Sequence, residues 1–212
     1  SGRIYSESTT SYAADTDGNQ IYFNPPEQVD SFLCDGTTTC DTTTAARHAQ
    51  TVSAYDANGN VLWGKMRADV NDSSFDQTVI TTYSSTTDLF LGLPTSAATY
   101  QGIVDPANLG TATKLSSTTF YYDGVTDCTT ASTNQTPTRG LATRIVRWLD
   151  NVNDPEVRMA YDDYGNLKCT RDARGSIATI TYDSSYTFIK TGTNPLGHVT
   201  TTQYYGVDGV AA

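Results

Sequence analysis

The chain has 212 residues, enough to bury a sizeable core, and carries 13 Lys and Arg against 23 Asp and Glu. A formal net charge of −10, with no Lys/Arg cluster, repels phosphate backbones and argues against nucleic-acid binding. No apolar run approaches the roughly 18 residues of a spanning helix, and Thr, Ser, 14 Tyr and 16 Gly outweigh the good helix formers, so the fold class is all-β.

The start, "SGRIYSESTT", lacks the charged-then-apolar layout of a secretory signal peptide. "YAADTDGNQIYF" (12–23) combines a Gly-Asn turn with an apolar strand start, and Asp15, Asp17 and Asn19 put oxygen donors at the alternating spacing of a calcium loop. The twelfth loop position falls on Pro26, with Glu27 one residue late, so a solvated turn is the plainer reading and calcium the alternative. No other metal or cofactor is implied.

Four cysteines permit two disulfides: "CDGTTTC" closes a small loop between Cys34 and Cys40, leaving Cys128 for Cys169. A buried thiol at Cys169 is the alternative. Their spacing fits no zinc pattern, and a Cys34–Cys40 bridge implies an oxidising compartment. The stretches 24–50, 68–76, 101–117 and 126–138 are polar and read as long loops.

"YDANGNVLW" (55–63) places Tyr55, Asp56 and Gly59 in the order that returns as Tyr161, Asp162 and Gly165 in "YDDYGNL" (161–167); "FYYDGV" (120–125) keeps the Tyr-Asp. From residue 155 the pattern becomes regular. Turns open at Asp162, Asp172, Asp183 and Asn194, with another near Tyr205, at intervals of 10, 11, 11 and 11. The quartets are "DDYG", "DARG", "DSSY" and "NPLG". Asp or Asn at the first turn position accepts a backbone hydrogen bond, and Gly165, Gly175 and Gly197 at the fourth tolerate positive φ. Between turns Val157, Met159 and Tyr161 share a face, then Leu167 and Cys169, then Ile180 and Tyr182. The expected fold is a meander of antiparallel β-hairpins in a single domain over 1–212, clearest at 155–210 and insertion-rich over 1–125.

Catalytic patterns are thin. His48 and His198 are the side chains that titrate near neutral pH, and His198 simply follows a turn. There is no Gly-x-Ser-x-Gly elbow and no phosphate-cradling loop. "DNVND" (150–154) is a further acidic loop. Trp63 and Trp148 are candidates for stacking on sugars, though strand packing explains both. Asn71 and Asn134 sit in N-x-S/T sequons.

These residues resemble the YD repeats of the RHS (rearrangement-hotspot) family. "YDDYGNL", "DARGSIATITYD", "TNPLGHVTTTQYY" and "YDANGNV" carry the resemblance, and "DLFLGLPTSA" (88–97) is similar to a stretch between repeats in insecticidal toxin-complex B components. The resemblance implies a curved antiparallel sheet spiralling into a hollow shell, which encloses a toxic C-terminal polypeptide in some members and forms an extracellular scaffold in teneurins. It implies that Tyr55, Tyr161 and Tyr182 stack from strand to strand, while Asp56, Asp162 and Asp183 start turns that Gly59 and Gly165 complete. Family shells are far longer, so 212 residues make only an arc. The "DPxG…DPxxL" self-cleaving order is absent, and neither autoproteolysis nor an effector activity carries over.

The function expected on this basis is a non-enzymatic scaffold: part of an RHS/YD shell in a secreted or cell-surface protein of the toxin or effector kind. Its partners are the remaining repeats, or a second copy paired through sheet edges. The alternative is an extracellular carbohydrate-binding or adhesion module on the same sheet, with glycans as partners.

Overall fold

The computed structural model describes residues 2–12, 24–84 and 92–204. Their strands form one antiparallel sheet in chain order. They are β1 (Ile4–Tyr12), β2 (Pro26–Thr37), β3 (Arg47–Tyr55), β4 (Val61–Arg67), β5 (Gln77–Tyr83), β6 (Pro94–Gln101) and β7 (Lys114–Tyr122). There follow β8 (Ala142–Arg147), β9 (Glu156–Tyr161), β10 (Leu167–Arg171), β11 (Ile177–Tyr182), β12 (Ile189–Thr193) and β13 (Val199–Thr201). One 3-10 turn, Ser73–Phe75, is capped by Asp72. By contact the chain divides into two units: Ser1–Tyr83 with Ser96–Ser117, and Ser84–Thr95 with Thr118–Ala212.

In the first unit β2 pairs with β3 from Gln28↔Val52 to Leu33↔Arg47, and β3 with β4 from Gln50↔Arg67 to Tyr55↔Val61. Strand β2 corrects the loop expected over 24–50. Its buried positions are Asp30, Phe32 and Cys34, while Ser31, Leu33 and Asp35 face solvent. The inward row thus mixes an acid and a cysteine with one aromatic, and the aliphatic Leu33 points out, which disguises the period of two. Strand β7 likewise begins inside the stretch 101–117. The core is a small cluster of Phe32, Cys34 and Cys40, with Ile4 and Ala45 against it.

In the second unit β8 to β13 follow at short intervals. A bulge in β10 sets Leu167 opposite Tyr161 but Cys169 opposite Ala160. Leu167 and Cys169 therefore fall in different cross-strand rows, which corrects the shared face expected of them. One extra residue shifts the phase of the strand. The buried cluster is Cys128, Ala160 and Cys169, with Ile177 packed on it. Each unit thus centres its apolar cluster on a disulfide: Cys34–Cys40 at 2.09 Å and Cys128–Cys169 at 2.02 Å. A sheet with so little apolar burial gains from such links, by about 2 kcal/mol for the short loop and about 4 kcal/mol for the long one in the chain-entropy account.

Candidate functional site

The structural unit that recurs is a Tyr-Asp pair at a chain reversal. Asp162 shows the Asp half. Its N–H donates to the Asn166 carbonyl at 2.9 Å, and its own carbonyl accepts from Gly165 N–H at 3.1 Å. Its Oδ1 accepts from the backbone of Tyr164 (2.9 Å) and Asn166 (2.8 Å), and Oδ2 from the Asn166 amide (3.0 Å). Gly165 sits at φ 91°, where a Cβ is strained. This is a type I turn closed by a left-handed residue.

Asp56 repeats the arrangement, with Oδ1 accepting from Asn58 (2.8 Å) and Asn60 (2.9 Å). So do Asp172, towards Arg174 (2.9 Å) and Ser176 (2.8 Å), and Asn194, towards Leu196 (3.0 Å) and His198 (2.9 Å). Gly59, Gly175 and Gly197 take φ of 85°, 87° and 80°. The turn at Asp183 is one residue longer: its N–H reaches the Phe188 carbonyl, and Tyr186 takes the left-handed place at φ 57°.

These bonds explain the acidity of the turns. The Asn60 amide, helped by backbone N–H groups, holds Asp56 below the usual range despite slight desolvation. The Ser185 hydroxyl and the Phe188 N–H hold Asp183 at about 2. For Asp162 burial pushes upward, but the bonds from Asn166, Tyr164 and Gly165 outweigh it.

The Tyr half reaches backwards. Tyr55 at the end of β3 donates its hydroxyl to the carbonyl of Pro26, the first residue of β2, at 3.1 Å. The same link joins Tyr83 of β5 to Val61 of β4 (3.1 Å) and Tyr122 of β7 to Pro94 of β6 (2.7 Å). It recurs from Tyr161 of β9 to Ala142 of β8 (3.1 Å) and from Tyr182 of β11 to Leu167 of β10 (3.2 Å). In every case the tyrosine closing an odd strand holds the opening carbonyl of the strand before it. Burial pushes the phenols of Tyr83, Tyr122 and Tyr161 up, which keeps them protonated donors. At Tyr55, Tyr122, Tyr161 and Tyr182 the next residue is aspartate, so adjacent residues divide the work, tyrosine fixing the strand behind and aspartate the turn ahead; Tyr83 precedes Ser84 instead.

Where a turn has expanded, the same pair anchors an insertion. Asp123 N–H donates to the Leu141 carbonyl at 2.8 Å, as Asp162 does to Asn166, although 17 residues now intervene. Its buried carboxylate accepts from the backbone of Thr138 (2.7 Å), Arg139 (2.8 Å), Gly140 (3.2 Å) and Leu141 (3.0 Å). Burial raises its pKa, but these four N–H groups prevail and leave it lowered. The insertion is held along its length by Cys128–Cys169, by Lys168 Nζ on the Thr126 carbonyl (3.3 Å) and by Arg144 on the Ser132 carbonyl (3.3 Å). Arg158 donates to the Thr129 carbonyl. Glu156 counters Arg144 (2.5 Å), Arg158 and Arg171 (3.7 Å), and burial pushing its carboxyl up is outweighed by the two nearer arginines.

No family model and no curated protein matches the chain. Among solved structures it is similar to the Photorhabdus luminescens Tc holotoxin pore, with 13% identity and a TM-score of 0.40, covering 81% of this chain and 13% of that one. It is also similar to a TcdB2–TccC3 crystal structure, with 13% identity and a TM-score of 0.39, covering 98% of this chain and 15% of the other. The chain therefore spans a small fraction of the length of either.

The remaining candidates are placed as follows. His48 Nε2 meets Asp30 Oδ1 at 2.6 Å in a buried polar cluster with Gln50 (3.0 Å) and Gln28 (2.6 Å on Oδ2), and its ring stacks on Phe32 at 4.5 Å. Burial raises the Asp30 pKa, yet the bonds from Gln28, His48 and Gln50 leave it lowered. His48 thus faces a carboxylate, and the neighbouring Cys34 and Cys40 are oxidised to a disulfide. His198 pairs through Nδ1 with the Asn194 amide at 3.2 Å. Lys65 Nζ lies 4.6 Å over the Trp63 ring, and Trp148 Nε1 donates to Asn151 at 2.7 Å. The Asn134 amide donates to the Tyr122 and Thr136 carbonyls. Among the described residues no group of three or more His, Cys, Asp or Glu is placed to hold a metal ion. Asp15, Asp17, Asn19, Tyr205 and the first four residues of "DLFLGLPTSA" lie outside the described residues. The hydroxyl links were missed in sequence because their acceptors are backbone carbonyls; the signal, at four of the five, was Tyr directly before Asp.

Proposed function

We propose that the chain is a non-enzymatic structural scaffold, a stretch of RHS/YD-type shell wall from a secreted or cell-surface protein of the toxin or effector kind. The observation carrying this reading is the recurrence of one device, a backward tyrosine link followed by an aspartate-led turn, at the ends of β3, β7, β9 and β11 in a sheet that keeps chain order. Such a unit extends a wall by adding strands at its end. The two disulfides suit an oxidising compartment. Their sulfurs offer no thiolate, and the buried histidine is occupied by Asp30, so the geometry favours support over chemistry. The scaffold is read as a single domain over 1–212.

A wall segment joins more wall. Among the described residues β1 and β13 are the outer strands, and nearly all their residues are exposed. Open edges recruit further strands, from neighbouring repeats or from a second copy. Light scattering of the chain from about 1 to about 500 μM is expected to show mass growing with concentration, as edge pairing near micromolar to millimolar strength would give. A strictly monomeric mass throughout contradicts the proposal.

A further inference from the structure

The last strands carry a surface that the scaffold role does not use. Phe188 and Lys190 lie at the start of β12, and Thr202 and Tyr204 follow β13 beside them. Gly192 lies opposite Thr200, and Thr202 N–H bonds the Lys190 carbonyl at 2.9 Å. At one end Phe188 and Tyr204 meet at 4.8 Å with planes tilted by 38°, and both are well exposed. Around them is a groove of about 430 Å³ lined by residues 183, 184, 188, 190 and 201–204.

The lining has a specific chemistry: two aromatic rings as apolar surface, and otherwise a carboxylate, an ammonium, an amide and the hydroxyl residues Ser184, Thr201 and Thr202. The Asp183 pKa of about 2 makes that carboxylate a permanent acceptor. Among the described residues the lining has no Leu, Ile or Val of the kind a protein interface would bring; the exposed Ile189 and Val199 are not part of it. A nucleobase also stacks on aromatic rings, but a chain of net charge −10 repels its phosphates.

A second observation lies on the same turn. Four sibling turns place glycine at the left-handed position, yet this one places Tyr186 there at φ 57°, at a cost of about 1 kcal/mol or more. The strained residue presents its ring outward, stacked on Tyr164 at 4.5 Å, with the two 48% and 70% exposed. The Asn166 amide fixes the Tyr186 carbonyl at 2.7 Å. Two contacting aromatic pairs therefore stand in water on neighbouring turns, on a backbone that bears strain to put one of them there.

We propose that the Phe188–Tyr204 groove is a carbohydrate subsite that takes a pyranose ring of an oligosaccharide. The C–H face of the sugar packs on the rings, and its hydroxyls meet Asp183, Lys190 and Gln203. The Tyr164–Tyr186 pair offers a stacking surface for a further sugar. The inference does not depend on the scaffold reading, since a chain that never assembles still carries the groove.

The test is calorimetric titration of the full chain with linear hexaoses of glucose, mannose, galactose and N-acetylglucosamine. At least one is expected to bind with a Kd below about 1 mM, the strength of a small polar–aromatic groove. Tyr204→Ala and Phe188→Ala should each weaken that binding about tenfold or more, and the smaller change Lys190→Met should weaken it measurably in a chain that keeps its wild-type circular dichroism. Tyr5→Ala, at an exposed tyrosine of β1, should leave it unchanged. Absence of binding by all four hexaoses at about 10 mM, or binding that survives both aromatic substitutions, overturns the proposal.

Discussion

The two units solve the problem of reversing a strand in different ways. In the second, Asp162, Asp172, Asp183 and Asn194 reverse the chain within a few residues each, using one side chain and one left-handed position. Among its described residues the first has one such turn, at Asp56, and otherwise relies on longer links. Between β2 and β3, for instance, Asp41 gathers Thr43 and Thr44 while Cys34–Cys40 closes the segment. The second unit contains its own exception at Asp123, where a long insertion needs a buried carboxylate, a disulfide and several cationic side chains to stay in place. Short reversals are self-sufficient, whereas long ones require tertiary support.

The strongest way to break this comparison is to remove the covalent support. Replacing Cys128 and Cys169 by serine is expected to cost about 4 kcal/mol in urea unfolding, against about 2 kcal/mol for Cys34 and Cys40, because the first closes the longer loop. Equal losses would place the support elsewhere. Next comes the carboxylate. Asp123→Ala strands four backbone N–H groups around a buried site and should cost roughly 3 kcal/mol, while Asp162→Ala, whose donors can turn to water, should cost about 1 kcal/mol in the same assay. Gly165→Ala forces a Cβ into φ 91° and should cost about 1–2 kcal/mol by thermal unfolding. Tyr186→Gly relieves φ 57° but loses a stack, so it should be nearly neutral.

Acid gives a subtler separation. Asp41 and Asp127, bonded first of all by the hydroxyls of Thr43 and Thr129, and Asp183, bonded by Ser185, each titrate at about 2, below the ordinary 3.8. Depressed values mean that their stabilising contribution is complete above 3.8 and fades as the pH falls towards about 2. Melting temperatures should therefore drop across that window, and Asp183→Asn should flatten the drop. Carboxyl NMR titrations that return ordinary values for all three would contradict the assignment.

The sequence was most legible where local chemistry alone decides structure. Asp-x-x-Gly at a steady interval names a turn without reference to anything distant, and Gly59, Gly165, Gly175 and Gly197 do hold positive φ. Legibility failed where partners are remote or lack side chains. Strand β2 buries Asp30 because Gln28, His48 and Gln50 satisfy it, and two of those lie on another strand. The bulge at Leu167–Cys169 adds one residue that periodicity cannot foresee. The closing partner of Asp123 is hidden by the insertion, and the tyrosine acceptors are carbonyls that every residue possesses. Tyrosine before aspartate pointed to the ring, whereas the bond that the hydroxyl makes has no mark in the pattern.

That hydroxyl is the centre of the account, and five Tyr→Phe substitutions test it most directly. At Tyr55, Tyr83, Tyr122, Tyr161 and Tyr182 each removes one oxygen and its bond to a carbonyl while keeping the ring. In denaturant unfolding each should lose about 1 kcal/mol with an unchanged slope, while Tyr5→Phe, at an exposed residue, should lose nothing measurable. Five variants as stable as the Tyr5 control would show that these phenols hold no carbonyl, and the repeating unit described for this chain would be wrong.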